Sequence, residues 1–242
     1  MGKSKGAVSQ TARKIRIPSE AAYLPTIVFI AFSVALTAAA DLGVSMIVAP
    51  AYILSLKFDF LTFGLAEYIV QGVLFVIFCI IMKKVKIVYF TSFITGIIYG
   101  FVLDLWRKFV PFLNPDKVAP GSQTMWLRIV FLVAGMVLTS LAVALFFKIY
   151  IYPQVYDFFV KGLCEIKHLP TQRVKTGFDT CCLGVALILS FALFGKLNGI
   201  GWGTAAMTVF NGTLIAAFEK LLDRFFVFEP KFKSFAAKFE LS

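Results

Sequence analysis

The sequence predicts an all-α polytopic membrane protein: six transmembrane helices and two short half-length helices, arranged as two inverted-topology repeats. Three observations carry that expectation: composition, the spacing of apolar runs, and the distribution of basic residues. Of the 242 residues, 60% are hydrophobic and only 15% are charged, and the mean hydropathy is +0.86. Soluble domains are about 45–50% apolar and about 25% charged. Polar residues are too few here to cover a water-facing surface, so the natural solvent is lipid.

Six apolar runs reach the roughly 20 residues that a helix needs to cross a hydrocarbon core. They are Ala21–Ala40, Leu61–Met82, Ile87–Trp106, Met125–Tyr150, Val174–Phe194 and Ala205–Leu222. Two shorter apolar segments, Leu42–Leu56 and Tyr150–Ile166, each contain a proline, Pro50 or Pro153. Proline lacks a backbone donor and clashes with the preceding turn, so it suits a helix start or break. Both segments are expected as short helices that enter the membrane part-way or lie on it.

Basic residues orient the chain. Of the 24 Lys and Arg, eighteen fall in residues 1–20, the loop at 83–86, the segment 148–175 and the tail from Lys220 onward. The other six, Lys57, Arg107, Lys108, Lys117, Arg128 and Lys196, fall in the alternate loops. The positive-inside rule then puts both termini in the cytoplasm, and six spans require the same. The organisation expected is a cytoplasmic basic tail (1–20), membrane repeat one (21–106), an external linker (107–124), membrane repeat two (125–224) and a cytoplasmic amphipathic tail (225–242). The N-terminal stretch is polar and basic and does not read as a cleavable signal. The net charge of +11 follows from this loop bias and from attraction to anionic lipid, so no nucleic-acid partner is expected. Cys79, Cys164, Cys181 and Cys182 have no metal-ligand spacing and read as small buried apolar residues.

The halves share a layout of one span, one short proline-bearing segment and two further spans. Leu61–Gln71 aligns with Leu169–Asp179, and Tyr99-Gly100 aligns with Asn211-Gly212. Three spans per half make the second half inverted relative to the first, a recurrent arrangement in secondary transporters.

These motifs resemble the YczE/YitT-like group of bacterial integral membrane proteins over about residues 23–224. The resemblance rests on Ile200-Gly201-Trp202-Gly203-Thr204, on Asn211-Gly212 and on the short segment bearing Pro50. In the first half, Thr91-Ser92 and Gly96 stand where the second half has its glycine loop. Ala49-Pro50-Ala51 stands where that group often has Pro-Trp-Asp. The resemblance implies the duplicated fold, a bacterial plasma membrane location and transport as the suspected activity.

Polar groups at membrane depth are costly and mark candidate sites. Asp179 lies inside the fifth span, one turn after Lys175. Glu67 and Gln71 share a face of the second span, and Gln71 is the repeat-mate of Asp179. Asn211 lies beside Gly212 in the last span. For each, a structural role competes: an ion pair for Asp179, interhelical hydrogen bonding for Glu67, Gln71 and Asn211. Asp157 and Glu165 read as a solvated face beside Lys161, Asp104 as the partner of Lys108, and Asp41 as the cap of the first short helix. Thr204 reads as a cap behind a tight glycine reversal. His168 stands alone, so no metal site is expected; neither is a cofactor or a catalytic residue, and the protein is not expected to be an enzyme. The function expected is secondary transport of a small polar or cationic solute by alternating access, with Asp179, Gln71, Asn211 and Glu67 binding the solute, and proton or cation coupling open. The alternative is a non-transporting binding or regulatory protein, such as the substrate-capture subunit of a larger complex. Membrane lipids are the other partner; the sequence does not set the oligomeric state.

Overall fold

A computed structural model describes residues 14–82, 87–119, 121–167 and 171–239. Lys83, Lys84, Lys86, His168, Pro170 and the first thirteen residues, which the sequence reading used for orientation and sites, lie outside the described residues. Strand β1 (Ile15–Pro18) leads into helix α1 (Ser19–Ala40), followed by α2 (Ala49–Lys57), α3 (Phe63–Met82) and α4 (Phe90–Phe109). Helices α5 (Met125–Lys148), α6 (Val155–Lys167), α7 (Thr171–Phe194) and α8 (Trp202–Phe225) follow, then strand β2 (Phe226–Glu229) and the short α9 (Lys233–Ala236).

The protein is a multi-pass helical membrane protein. Among the described residues five helices are long and apolar enough to cross a membrane: α1, α3, α5, α7 and α8. The remaining expected span, α4, has the same 20-residue length as α3. It ends on Asp104, Arg107 and Lys108, which lowers its apolarity. The two short helices are present, and proline places their starts. Pro50 sits in the first turn of α2, and Pro153 lies two residues before α6.

Helix α6 packs along α3. Its first turn lies beside the first half of α3, where the Tyr156 hydroxyl donates to Glu67 Oε2 (2.8 Å). Further along, Phe158 stacks on Phe78 near the other end of α3 (4.7 Å between ring centroids). Helices α2 and α6 each pack on both α3 and α7, α1 packs on α4, α5 packs on α8, and α1 crosses α5. At that crossing a Cβ on Gly135 would meet the Thr37 side chain at 2.5 Å and the Ser33 carbonyl at 2.9 Å, so only glycine admits so close an approach.

Strands β1 and β2 pair in parallel, with Ile15 opposite Phe226 and Pro18 opposite Glu229, which sets the start of α1 and the end of α8 at the same end of the bundle. The tail, expected as an amphipathic surface segment, takes the form of this strand followed by a helical turn. Its Phe239 is buried against Tyr150 and Tyr152 (5.4 and 5.1 Å between centroids), and the Tyr152 hydroxyl donates to the Phe239 carbonyl (2.7 Å).

Several boundary residues act differently from their sequence reading. Asp41 closes α1 with a left-handed backbone (φ 50°) and faces Arg128 (3.2 Å); it does not cap α2. Burial raises its carboxyl above the ordinary range, and the Arg128 guanidinium offsets part of that. Asp104 accepts from Gly64 N–H (2.8 Å) and Thr62 Oγ1 (2.5 Å) at the start of α3, where the free N–H groups of a helix favour a carboxylate over Lys108. Cys181 is exposed, whereas Cys182 is buried.

Candidate functional site

Where α1, α4 and α5 meet α6, α7 and α8 lies a cavity of about 690 Å³, within the roughly 300–1,000 Å³ of small-molecule sites. The lead-in to α2 (Ser45–Val48) and the lead-in to α6 (Gln154) both border it. The N-terminal ends of both short helices, with their partial positive charge, therefore face one space. Its polar lining includes Tyr99, Thr139, Asp157, Lys175, Asp179 and Asn211.

Helix α7 places Lys175 and Asp179 one turn apart on the cavity wall. Lys175 Nζ lies 3.7 Å from Asp179 Oδ1 and 3.7 Å from Asp157 Oδ1, so one ammonium answers two acids and joins α6 to α7. Asp157 thus faces the cavity wall, not the solvated face that its spacing from Lys161 suggested. Asn211 Oδ1 accepts from the Ser140 hydroxyl (3.3 Å), which fastens the middle of α8 to α5.

Glu67 and Gln71 lie behind that wall. Both are fully enclosed, at 0% and 1% exposure. Gln71 Nε2 donates to Glu67 Oε2 (3.1 Å) and reaches Gln154 Oε1 at 3.5 Å. Glu67 and Gln71 therefore touch the cavity through Tyr156 and Gln154. The sequence-based set divides accordingly: Asp179 and Asn211 line the space, and Gln71 and Glu67 support it.

Three residues of the site, Tyr99, Gln154 and Tyr156, were not assigned to it, and Asp157 was read as part of a solvated face. For Tyr99 the signal was the alignment of Tyr99-Gly100 with Asn211-Gly212. Gln154 and Tyr156 follow Pro153 at the start of α6, where the first N–H groups of a helix are open. Among the described residues no group of three or more His, Cys, Asp or Glu is arranged to hold a metal ion.

The two sides of the cavity are packed differently. Helix α3 lies closely on α4. A Cβ on Gly64 would strike the Gly100 carbonyl, and one on Gly100 would strike the Tyr68 ring. Helices α7 and α8 make no comparable contact. Gly212 of α8, which lines the cavity, has nothing within 4 Å of an added Cβ.

Long apolar helices, two short proline-led helices and a cavity with polar groups among the helices define a class: multi-pass helical membrane proteins with a candidate site in the bundle. Within that class, the chain belongs to a family of unknown function, DUF6198, whose model matches residues 17–220. No curated protein and no solved structure matches the chain.

Proposed function

We propose that the protein is a secondary transporter of a small polar or cationic solute and works by alternating access. One observation carries this reading: the cavity at the seam of the two halves, which holds Lys175, Asp179 and Asn211, is closed on one side, where α3 packs on α4, and parted on the other, between α7 and α8. In this reading α4 is a sixth span, so α1–α4 and α5–α8 are inverted repeats. The packing supports it. Exchanging α1 with α5, α2 with α6, α3 with α7 and α4 with α8 reproduces the neighbours of α1 and α5 and the packing of α2 and α6 on α3 and α7. It fails only for contacts of α8 with α7 and α2. Two pseudo-equivalent halves in different conformations around one site are what alternating access requires.

The kinship to YczE/YitT-like proteins belongs to the same reading. Its support is the Gly201–Thr204 stretch, which forms the α8 start: Gly201 N–H points to Thr204 Oγ1 (3.4 Å), and Gly203 N–H donates to the Leu42 carbonyl (2.8 Å). The bacterial plasma membrane is the location proposed, with both termini cytoplasmic. The shared end of β1 and β2, and the basic residues there, support that orientation. Asp179 would receive a cationic or hydrogen-donating group of the solute, and no enzymatic step is assigned.

The test is flux. Purified protein in liposomes, screened with radiolabelled small polar and cationic solutes, is expected to give saturable uptake and counterflow. In a background with Cys79, Cys164, Cys181 and Cys182 replaced, a cross-link between Thr176→Cys on α7 and Thr213→Cys on α8 is expected to stop it. Tight solute binding with no flux would instead favour a substrate-capture subunit.

A further inference from the structure

Five side-chain atoms are buried without a hydrogen-bond partner among the described residues, and three of them, Glu67 Oε1, Gln71 Oε1 and Tyr99 OH, converge where α3 meets α4 and α6. Glu67 and Gln71 are one turn apart and hydrogen-bonded to each other. The Gln71 amide oxygen occupies the place where a Cβ on Gly96 would sit. Tyr99 follows Gly96 on α4 by three residues, hence on the same face, and feels the charge of Glu67. All three orphaned atoms are oxygens. Leaving such acceptors unpaired in a water-poor interior is unfavourable.

Charge sharpens the point. Glu67 is fully enclosed, and no Lys or Arg among the described residues pairs with it. Lys175 is already shared by Asp157 and Asp179. The titratable groups that face Glu67 are Tyr156 on α6 and Tyr99 on α4, with Asp104 beyond Tyr99 and Cys182 beyond Tyr156. On the α2 side Tyr52 packs against Phe63, with Arg107 engaged between Tyr52, Asp104 and Asp116. A carboxylate buried without a counter-charge is strongly disfavoured. Oxygen donors of carboxylate and carbonyl type suit hard cations.

We propose that Glu67, Gln71 and Tyr99 form a binding site for one small monovalent cation, a proton or a sodium ion, held on the Glu67 carboxylate with the other two oxygens as neutral partners. Glu67 and Gln71 lie behind the cavity wall, while Tyr99 and Tyr156 are part of it. Tyr156 also joins the two, since its hydroxyl donates to Glu67. As the coupling-ion site of a transporter it rests on the function proposed above; as an ion site it stands alone. It also separates two roles that the sequence merged: Glu67 holds the ion, and Asp179 faces the solute.

The experiment is thermal unfolding of the detergent-purified full chain, with sodium chloride exchanged for choline chloride at constant ionic strength and repeated across a pH series. An ion that binds only the folded form raises its apparent stability. If the ion is sodium, wild-type protein is stabilised by sodium over choline, and its apparent sodium affinity falls as protons compete at lower pH. If it is a proton, sodium and choline are equivalent, and wild-type stability rises relative to Glu67→Gln as pH falls. In both cases Glu67→Gln removes the dependence. Tyr99→Phe, which deletes one oxygen and no charge, weakens sodium affinity or moves the pH midpoint toward acid by about tenfold in ion concentration or less. Equal sodium and pH responses in wild type and Glu67→Gln overturn the site. Should Glu67→Gln fail to fold, an unmoved midpoint in Tyr99→Phe overturns it. Ion dependence without solute flux sinks the transporter reading and leaves this site standing; flux without ion dependence does the reverse.

Discussion

Paired glycine substitutions on the two sides of the cavity are expected to change stability in opposite directions. In Gly100→Ala the new methyl meets the Tyr68 ring, with Tyr68 Cδ1 at 3.1 Å and the Gly64 carbonyl at 2.9 Å. The carbonyl belongs to a helix backbone and gives way only if α3 and α4 move apart. Overpacking of this kind costs about 1–3 kcal/mol, and replacing a mid-helix glycine by alanine returns about 0.5–1 kcal/mol. The net is a loss of up to about 2.5 kcal/mol. In Gly212→Ala nothing lies within 4 Å of the methyl, so only the backbone gain remains, about 0.5–1 kcal/mol of added stability. For a chain of this size each kcal/mol moves Tm by about 2–4 °C. Thermal unfolding of both purified variants reads the signs directly. Gly212→Ala is also expected to slow solute flux despite its higher Tm, because its methyl fills the surface on which α7 and α8 would close. A Tm loss in Gly212→Ala equal to that in Gly100→Ala would refute the asymmetry, since it would mean that α7 and α8 are already packed.

Three further outcomes follow from the structure. Arg128→Met removes the donors to the Ala40 and Asp41 carbonyls and to the Asp41 carboxylate; a loss of about 2–3 kcal/mol is expected in chemical unfolding. Asp179→Asn leaves Lys175 its pair with Asp157, so unfolding is expected to change by about 1 kcal/mol or less, while uptake of cationic solutes falls well below wild type. Tyr150, outside the spans, has its phenol pushed up to about 12 by burial and then by its hydrogen bond to Glu20. Because the raised value favours the protonated fold, its contribution is complete below the ordinary tyrosine value of 10.0 and is lost as pH climbs through about 12. Tyr150→Phe should remove one tyrosine from the late-titrating part of the tyrosinate absorbance curve.

Much of the architecture was legible because lipid imposes simple rules. Run length located the long helices, and proline located the starts of α2 and α6. The basic bias grouped segments that the structure gathers at one end, as the β1–β2 pairing and the Lys148–Asp223 contact (2.8 Å) show. The Lys175–Asp179 pair was readable from its spacing alone. What escaped depended on contacts between distant segments. Nothing local tells that Tyr156 finds Glu67, that Asp157 meets Lys175, or that Asp104 turns from Lys108 to the open N–H groups of α3. Spacing along one helix reveals partners on that helix; packing against other helices brings partners from elsewhere. The strand in the tail was also out of reach, since Phe226–Glu229 is only four residues long and needs β1 from the other end of the chain to pair with.

Paired spin-label distances test the two-state picture most directly. Labels at Thr176 and Thr213 span α7 and α8, and labels at Ile69 and Phe101, both exposed, span α3 and α4. In reconstituted, cysteine-free protein the first pair should be long while the second is short. On adding transported solute a second population should emerge with the two distances exchanged. A single unchanging distance in both pairs, with and without solute, would contradict alternating access and leave a static membrane bundle with an internal polar cavity.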